Sequence, residues 1–151
     1  MEKHQIVPDV VDTVPKSVLT VRFGEKELNL GNYLTIEDVS EKPTLVSWNA
    51  DESKLYTLCF TDPDAPSRVE PTVREWQHWY TFMVYEQPGK IDVSGEPRLN
   101  LSVEHRALRR NFSIRNFAKK QGLGEPLSGN FFQTKWDEYV HVVRAKLGLP
   151  K

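Results

Sequence analysis

The alternation of apolar and polar residues is clearest in the centre of the chain, from Leu55 to Tyr85. Two runs there, Leu55–Thr61 and Arg74–Tyr85, are rich in aromatic and β-branched residues, which predicts two strands. Aspartates and prolines interrupt the pattern between the two runs, at Asp62, Pro63, Asp64, Pro66 and Pro71. Because proline donates no backbone hydrogen bond, this segment predicts a loop that joins the strands.

Shorter runs with a period of two predict further strands before this centre. Ser17–Phe23 and Lys26–Leu30 alternate on either side of a glycine turn, which predicts a hairpin. Thr44–Trp48 predicts another strand. Of the other segments before the centre, residues 1–16 predict an irregular arm and residues 34–40 a short turn.

Helical spacing appears near the carboxyl end. Ser113 is a suitable N-cap for a helix that Gly122 closes, because the apolar residues between them share one face. Asn130–Thr134 predicts a strand, and residues 136–147 predict a second helix. Many strands followed by two helices predict a mainly β (α+β) fold with antiparallel sheets and carboxyl-terminal helices, rather than a doubly wound fold.

Composition favours one globular domain over residues 1–151. Hydrophobic residues make up 38% of the chain and charged residues 27%, which is typical of a packed domain. A net charge of -1 gives no general attraction to nucleic acid. The single cysteine, Cys59, allows no internal disulfide and predicts a buried structural thiol. Since no leader or membrane-length apolar run is visible, we expect a cytoplasmic protein.

The central loop carries the candidate chemistry. Asp62 and Asp64 follow the first strand and His78 begins the second, so a small polar site is expected where the strands meet. Two carboxylates alone attract an ammonium or metal ion, whereas phosphate needs backbone N–H groups and histidine as donors. Alternatively, both aspartates bond only their own loop, as Asx turns. A metal-assisted hydrolase built on these three residues lacks a further ligand, so we expect no metal, cofactor or catalysis.

A cluster of basic residues follows in the second half of the chain. Its members are Arg106, Arg109, Arg110, Arg115, Lys119 and Lys120. Contact with an anionic membrane surface is one interpretation. A solvated face is favoured because no apolar insertion face accompanies the charges, so we expect at most peripheral membrane contact.

Three motifs resemble those of a known family. Leu55–Arg68 contains Thr-Asp-Pro-Asp-Ala-Pro-Ser-Arg, Arg74–His78 reads Arg-Glu-Trp-Gln-His, and Val84–Gln87 reads Val-Tyr-Glu-Gln. Together they resemble the signature of the phosphatidylethanolamine-binding protein family, also called Raf kinase inhibitor proteins, and the resemblance covers nearly the whole chain. It implies a central sheet, a smaller sheet, terminal helices and a shallow pocket for phosphate-bearing head groups. The pocket positions implied by the motifs are Asp62, Asp64, Pro66, Trp76 and His78, and the resemblance adds Tyr80 and Tyr139 as aromatic or hydroxyl contributors.

The resemblance also implies a function. Family members are non-enzymatic regulators that bind phosphatidylethanolamine or other phosphate-bearing ligands and restrain kinases such as Raf, and some relatives inhibit serine proteases. We therefore expect a head-group-binding inhibitor of a kinase pathway. The alternative is an interaction module that inhibits a kinase or a serine protease without using the pocket.

The chain departs from the family pattern directly after Trp79. Family members continue there through another hydrophobic strand, a glycine-rich loop and a Gly-x-His-Arg motif, whereas here Tyr80 follows at once. A few dozen residues and the second pocket histidine are absent. Losing these donors predicts weaker phosphate binding. Losing a strand predicts unpaired backbone groups or a new sheet edge, which invites self-association.

Overall fold

The computed structural model describes residues 1–62, 77–97, 112–135, 137–146 and 148, with only the backbone for residues 77–79. Its strands are β1 (Ser17–Val18), β2 (Thr20–Phe23), β3 (Lys26–Glu27), β4 (Asn32–Tyr33), β5 (Leu45–Ser47), β6 (Tyr56–Thr61), β7 (Gln77–Glu86) and β8 (Ser128–Lys135). Its helices are α1 (Ile6–Asp9), α2 (Ile114–Gln121) and α3 (Tyr139–Lys146), with a 3₁₀ turn at Glu2–His4.

The strands form two sheets. The larger sheet has the order β1-β8-β7-β6, and β4 also pairs with β8, while the smaller sheet has the order β3-β2-β5. The β6–β7 and β7–β8 pairs are antiparallel, whereas β1 and β4 run parallel to β8. The predicted mainly β fold is confirmed, and the larger sheet is mixed because two short strands join it in parallel.

Strand β7 lies inside the larger sheet and contains the join after Trp79. Its ten residues pair with β6 from Thr81 to Glu86 and with β8 from Gln77 to Val84. The residues on either side of the join therefore continue one strand. Both of them pair with β8, and pairing with β6 begins at Thr81. Within the described ranges, β6 pairs with β7 alone and is the outermost strand on that side of the sheet.

The larger sheet separates two apolar clusters, because successive side chains of a strand point to opposite faces. Met83 and Tyr85 pack on one face with the amino-terminal arm and α2; this cluster also holds Ile6, Val10, Val11, Cys59, Ile114, Ala118, Leu123 and Phe131. Phe82 and Val84 pack on the other face with the smaller sheet; this cluster also holds Leu19, Val21, Phe23, Leu28, Leu34 and Phe132. Cys59 is a free, buried thiol, as predicted, and burial raises its pKa to about 11.

The Ser17–Phe23 run is divided between the two sheets at Leu19, so its prediction as a single strand is corrected. The N–H of Leu19 donates to the carbonyl of Gly129 (3.1 Å), and the Leu19 carbonyl accepts from Nδ2 of Asn130 (2.8 Å). Beyond Leu19, β2 pairs with β3 and β5 in the smaller sheet. The chain thus passes from one sheet to the other at a fully buried residue.

Helix α2 has the caps that the sequence predicts. Oγ of Ser113 accepts a hydrogen bond from the N–H of Asn116 (3.2 Å), and Gly122 ends the helix with φ of 63°. Helix α3 falls within the predicted range 136–147, although Trp136 and Leu147 lie outside the described residues. No helix in the part of the chain that the structure describes is both long and apolar enough to cross a membrane.

Candidate functional site

Asp62 and Tyr80 come together where β6 ends. The β6–β7 register pairs Thr61 with Thr81, and continuing it by one residue brings Asp62 level with Tyr80. Burial, and then the charge of the Asp62 carboxylate, raise the pKa of the Tyr80 hydroxyl to about 12. Like any tyrosine hydroxyl, it carries its proton at neutral pH and so has a hydrogen-bond donor to offer.

The Tyr80 ring is held between two other aromatic rings. Its centroid lies 5.8 Å from that of Phe60 on β6, with 17° between the planes, and 5.0 Å from that of Phe132 on β8, with 11° between the planes. Such offset stacking restricts the ring. The three strands therefore fix the position of the Tyr80 hydroxyl beside Asp62.

The sequence did not single out Phe60 or Phe132 as neighbours of this site. Alternation along β6 places Phe60 and Asp62 on the same face, which was a usable signal. No sequence signal indicated Phe132, because it contacts Tyr80 through the pairing of β7 with β8.

The other predicted site residues are not gathered here by the structure. Asp64, Pro66 and Trp76 lie outside the described residues, and His78 is described only by its backbone, opposite Thr134 of β8. Tyr139 begins α3, where its N–H donates to Oδ1 of Asp137 (2.9 Å). Of the seven predicted residues, the described side chains therefore place only Asp62 and Tyr80 together.

An open cavity of about 300 Å³ lies elsewhere on the larger sheet. Its lining includes Lys16, Glu86, Gln87 and Leu123. Glu86 ends β7, so this cavity lies towards the opposite end of that strand from Tyr80. It is a different place from the predicted pocket.

Tyr80→Phe should change how stability depends on pH. In the folded protein the pKa of Tyr80 lies above the usual tyrosine value of 10, so the unfolded chain loses this proton first as the pH rises. The contribution of Tyr80 to stability is therefore complete below pH 10 and is lost up to about pH 12. We expect Tyr80→Phe to lose less stability over this interval than the unsubstituted protein, as measured by urea unfolding at several pH values.

The matched control for that measurement is Tyr33→Phe, since Tyr33 is an exposed tyrosine on β4. It should reproduce the pH dependence of the unsubstituted protein. An unchanged pH dependence in Tyr80→Phe would contradict the assignment.

The sequence model of the family described as phosphatidylethanolamine-binding protein matches residues 14–84. The solution structure of a protein designated CG7054 is 33% identical and covers 94% of this chain and 97% of that one, with a TM-score of 0.67. The chain therefore belongs to the phosphatidylethanolamine-binding protein family, as the motifs predicted.

A relative from Drosophila melanogaster, named putative odorant-binding protein A5, bears on the missing segment. It is 28% identical over 173 residues, covering 93% of this chain and 80% of that protein. Since this chain has 151 residues, the alignment exceeds it by at least 22 positions. This excess is what an internal deletion relative to the family produces.

A further likeness concerns the fold alone. The crystal structure of carboxypeptidase Y inhibitor complexed with its cognate proteinase is 20% identical, covers 88% of this chain and 91% of that one, and has a TM-score of 0.64. The family fold thus occurs in a protein seen bound to a protease.

Proposed function

We propose that this chain is a non-enzymatic protein of the cytoplasm that binds a phosphate-bearing ligand, such as a phosphatidylethanolamine head group, and regulates a kinase pathway. The observation that carries the proposal is the Tyr80 side chain, which two stacked rings hold in place and which the strand register brings level with Asp62. The family resemblance implies that Asp64, Pro66, Trp76, His78 and Tyr139 belong to the same pocket.

The chemistry of the described pair suits a zwitterionic head group. The Tyr80 hydroxyl donates a hydrogen bond to a phosphate oxygen, while the Asp62 carboxylate attracts the ammonium group of ethanolamine. A carboxylate beside a phosphate is repulsive, and the Gly-x-His-Arg donors of the family are absent here. We therefore propose weak binding in which the ammonium group contributes much of the selectivity.

A titration of the protein with phosphoethanolamine, followed by two-dimensional amide NMR, tests this function. We expect saturable shifts centred on Asp62 and Tyr80. Tyr80→Phe removes the donor, and a lost hydrogen bond to a charged group is worth about 1.5–3 kcal/mol, so affinity should fall about tenfold or more. Tyr33→Phe serves as the control and should bind like the unsubstituted protein. Dispersed resonances that do not shift would refute the proposal.

The second candidate is inhibition of a protease or kinase by a surface outside the pocket. The likeness in fold to carboxypeptidase Y inhibitor, a protein seen with its proteinase, supports it. Inhibition assays with a serine protease and with Raf kinase distinguish the two functions. Inhibition that survives Tyr80→Phe, while phosphoethanolamine binding is lost, assigns the activity to the surface.

A further inference from the structure

Strand β6 offers an open edge to a partner. The Leu55 carbonyl accepts a hydrogen bond from the N–H of Gln87 (2.8 Å), which fixes the phase of the antiparallel pairing with β7. Because hydrogen-bonded residues alternate along such a pair, the backbone groups of Leu58 and Phe60 point away from β7. Among the described residues, no strand pairs with that side of β6.

The side chains of β6 carry no charge, and two of them are exposed apolar groups. Leu58 is 45% exposed and Phe60 is 50% exposed. Edge strands usually carry lysine, proline or a bulge that prevents pairing with another chain. None of these interrupts the six residues of β6, so its edge can accept another strand.

The charges at the two ends of β6 favour a second copy of the same strand. Lys54 precedes the strand and Asp62 follows it. In a two-fold antiparallel pair centred on Leu58, position 54 of one copy is the counterpart of position 62 of the other at both ends. Lys54 itself lies in the turn before β6, where its N–H donates to the carbonyl of Asp51 (3.0 Å), so its long side chain must bridge the distance to Asp62. Opposite charges facing each other stabilise this alignment.

The same alignment satisfies the backbone. It places Leu58 opposite Leu58 of the second copy and Tyr56 opposite Phe60, so outward-pointing backbone groups meet outward-pointing backbone groups. The Tyr56 carbonyl accepts from Nε2 of Gln87 in its own chain (3.2 Å), so pairing there exchanges one hydrogen bond for another. It also brings aromatic side chains into cross-strand contact, which favours strand pairing. Charge, backbone hydrogen bonding and side-chain packing therefore agree on one register.

We propose that β6 pairs with β6 of a second copy of this chain, so that the larger sheet continues across a two-fold axis. A standard interface buries about 800 Å² on each partner, and a strand of six residues supplies only part of that area. The dimer is therefore weak and depends on protein concentration.

The dimer adds a cation to the candidate site. Lys54 of one copy approaches Asp62 of the other, whereas within one chain its ammonium group contacts Oε1 of Glu86 (2.9 Å) across an exposed ion pair. Exposed pairs of this kind are worth little and exchange partners readily. The second copy thus places a positive charge beside the aspartate of the ligand site.

Two measurements on the full chain test the dimer. In sedimentation velocity, the mass should rise with concentration from 17.5 kDa towards twice that value. In hydrogen exchange, the amides of Leu58 and Phe60 should be exposed at low concentration and protected at high concentration. A constant monomeric mass, or protection that does not change with concentration because the chain covers its own edge, would overturn the proposal.

Leu58→Lys isolates the interface, because it brings two like charges face to face on the two-fold axis. We expect the dissociation constant to rise at least tenfold. Leu45→Lys is the matched control, since Leu45 is also an exposed leucine on an edge strand, β5 of the smaller sheet. It should leave dimerisation unchanged, and equal effects of the two variants would count against β6.

Charge reversal tests the register. Lys54→Asp alone should weaken the dimer, because two carboxylates then face each other at each end. Adding Asp62→Lys should restore it by exchanging the two charges. Failure of the double variant to dimerise better than Lys54→Asp would exclude this alignment. Sedimentation detects the dimer in the absence of any ligand. The outcome of this test is therefore independent of whether the proposed ligand binds.

Discussion

Asn130→Leu should lower the free energy of unfolding by about 3–5 kcal/mol. The Asn130 amide is fully buried and makes four hydrogen bonds, donating to the carbonyls of Leu19 (2.8 Å) and Leu28 (3.1 Å) and accepting from the N–H groups of Leu30 (2.9 Å) and Phe131 (2.9 Å). Leucine matches its shape but removes the partner of all four groups, and those of Leu19, Leu28 and Phe131 belong to buried residues. Urea unfolding followed by circular dichroism measures the loss.

The control for this substitution is Asn116→Leu on the exposed side of α2. It makes the same chemical change without removing a buried network, so its effect should be within about 0.5 kcal/mol. Similar losses in the two variants would show that Asn130 does not join the two sheets in the way its hydrogen bonds indicate.

Gly31→Ala should also have a large effect and lower the free energy of unfolding by about 2–4 kcal/mol. Gly31 has φ of 104°, a conformation that residues with a Cβ rarely adopt. Its N–H donates to the carbonyl of Phe131 (2.9 Å), which holds the backbone against β8. A Cβ at this position would lie 2.6 Å from Cε2 of the buried Phe131 ring, so either the ring or the backbone must move. Thermal unfolding should therefore occur at a markedly lower temperature.

Gly89→Ala is the matched control, because nothing lies within 4 Å of the Cβ it would gain. We expect the midpoint temperature of its thermal unfolding to stay close to that of the unsubstituted protein. A comparable shift in both variants would show that the cost comes from loss of glycine as such and not from contact with Phe131.

Local signals predicted much of this fold. The caps of α2 depend on Ser113 and Gly122 alone, and both behave as predicted. Strands β6 and β7 follow from alternation within each run. The parallel pairing of β1 and β4 with β8 could not be predicted. It joins residues about a hundred positions apart, and nothing in the local sequence of either strand specifies its partner. The same limit explains why the division of the first strand at Leu19 was missed.

For the candidate site, the resemblance named Asp62 and Tyr80, and the β6–β7 register brings these two residues level. Their role in ligand binding stays a prediction. The rings that position Tyr80 arrive through pairing and packing between strands, which no single run of sequence contains. The neighbours of Tyr80 are therefore known only once the pairing of the strands is known.

The position of Cys59 allows the opening of strand β6 to be measured by thiol labelling. It is the single cysteine of the chain, lies on β6 and is paired with Met83 of β7, with its thiol buried between the sheet and the amino-terminal arm. A thiol reagent reaches it only when this region opens, since burial also keeps the sulfur protonated at neutral pH. The rate of labelling therefore measures how often the edge strand detaches, and its dependence on denaturant tells whether the strand leaves alone or with the whole fold.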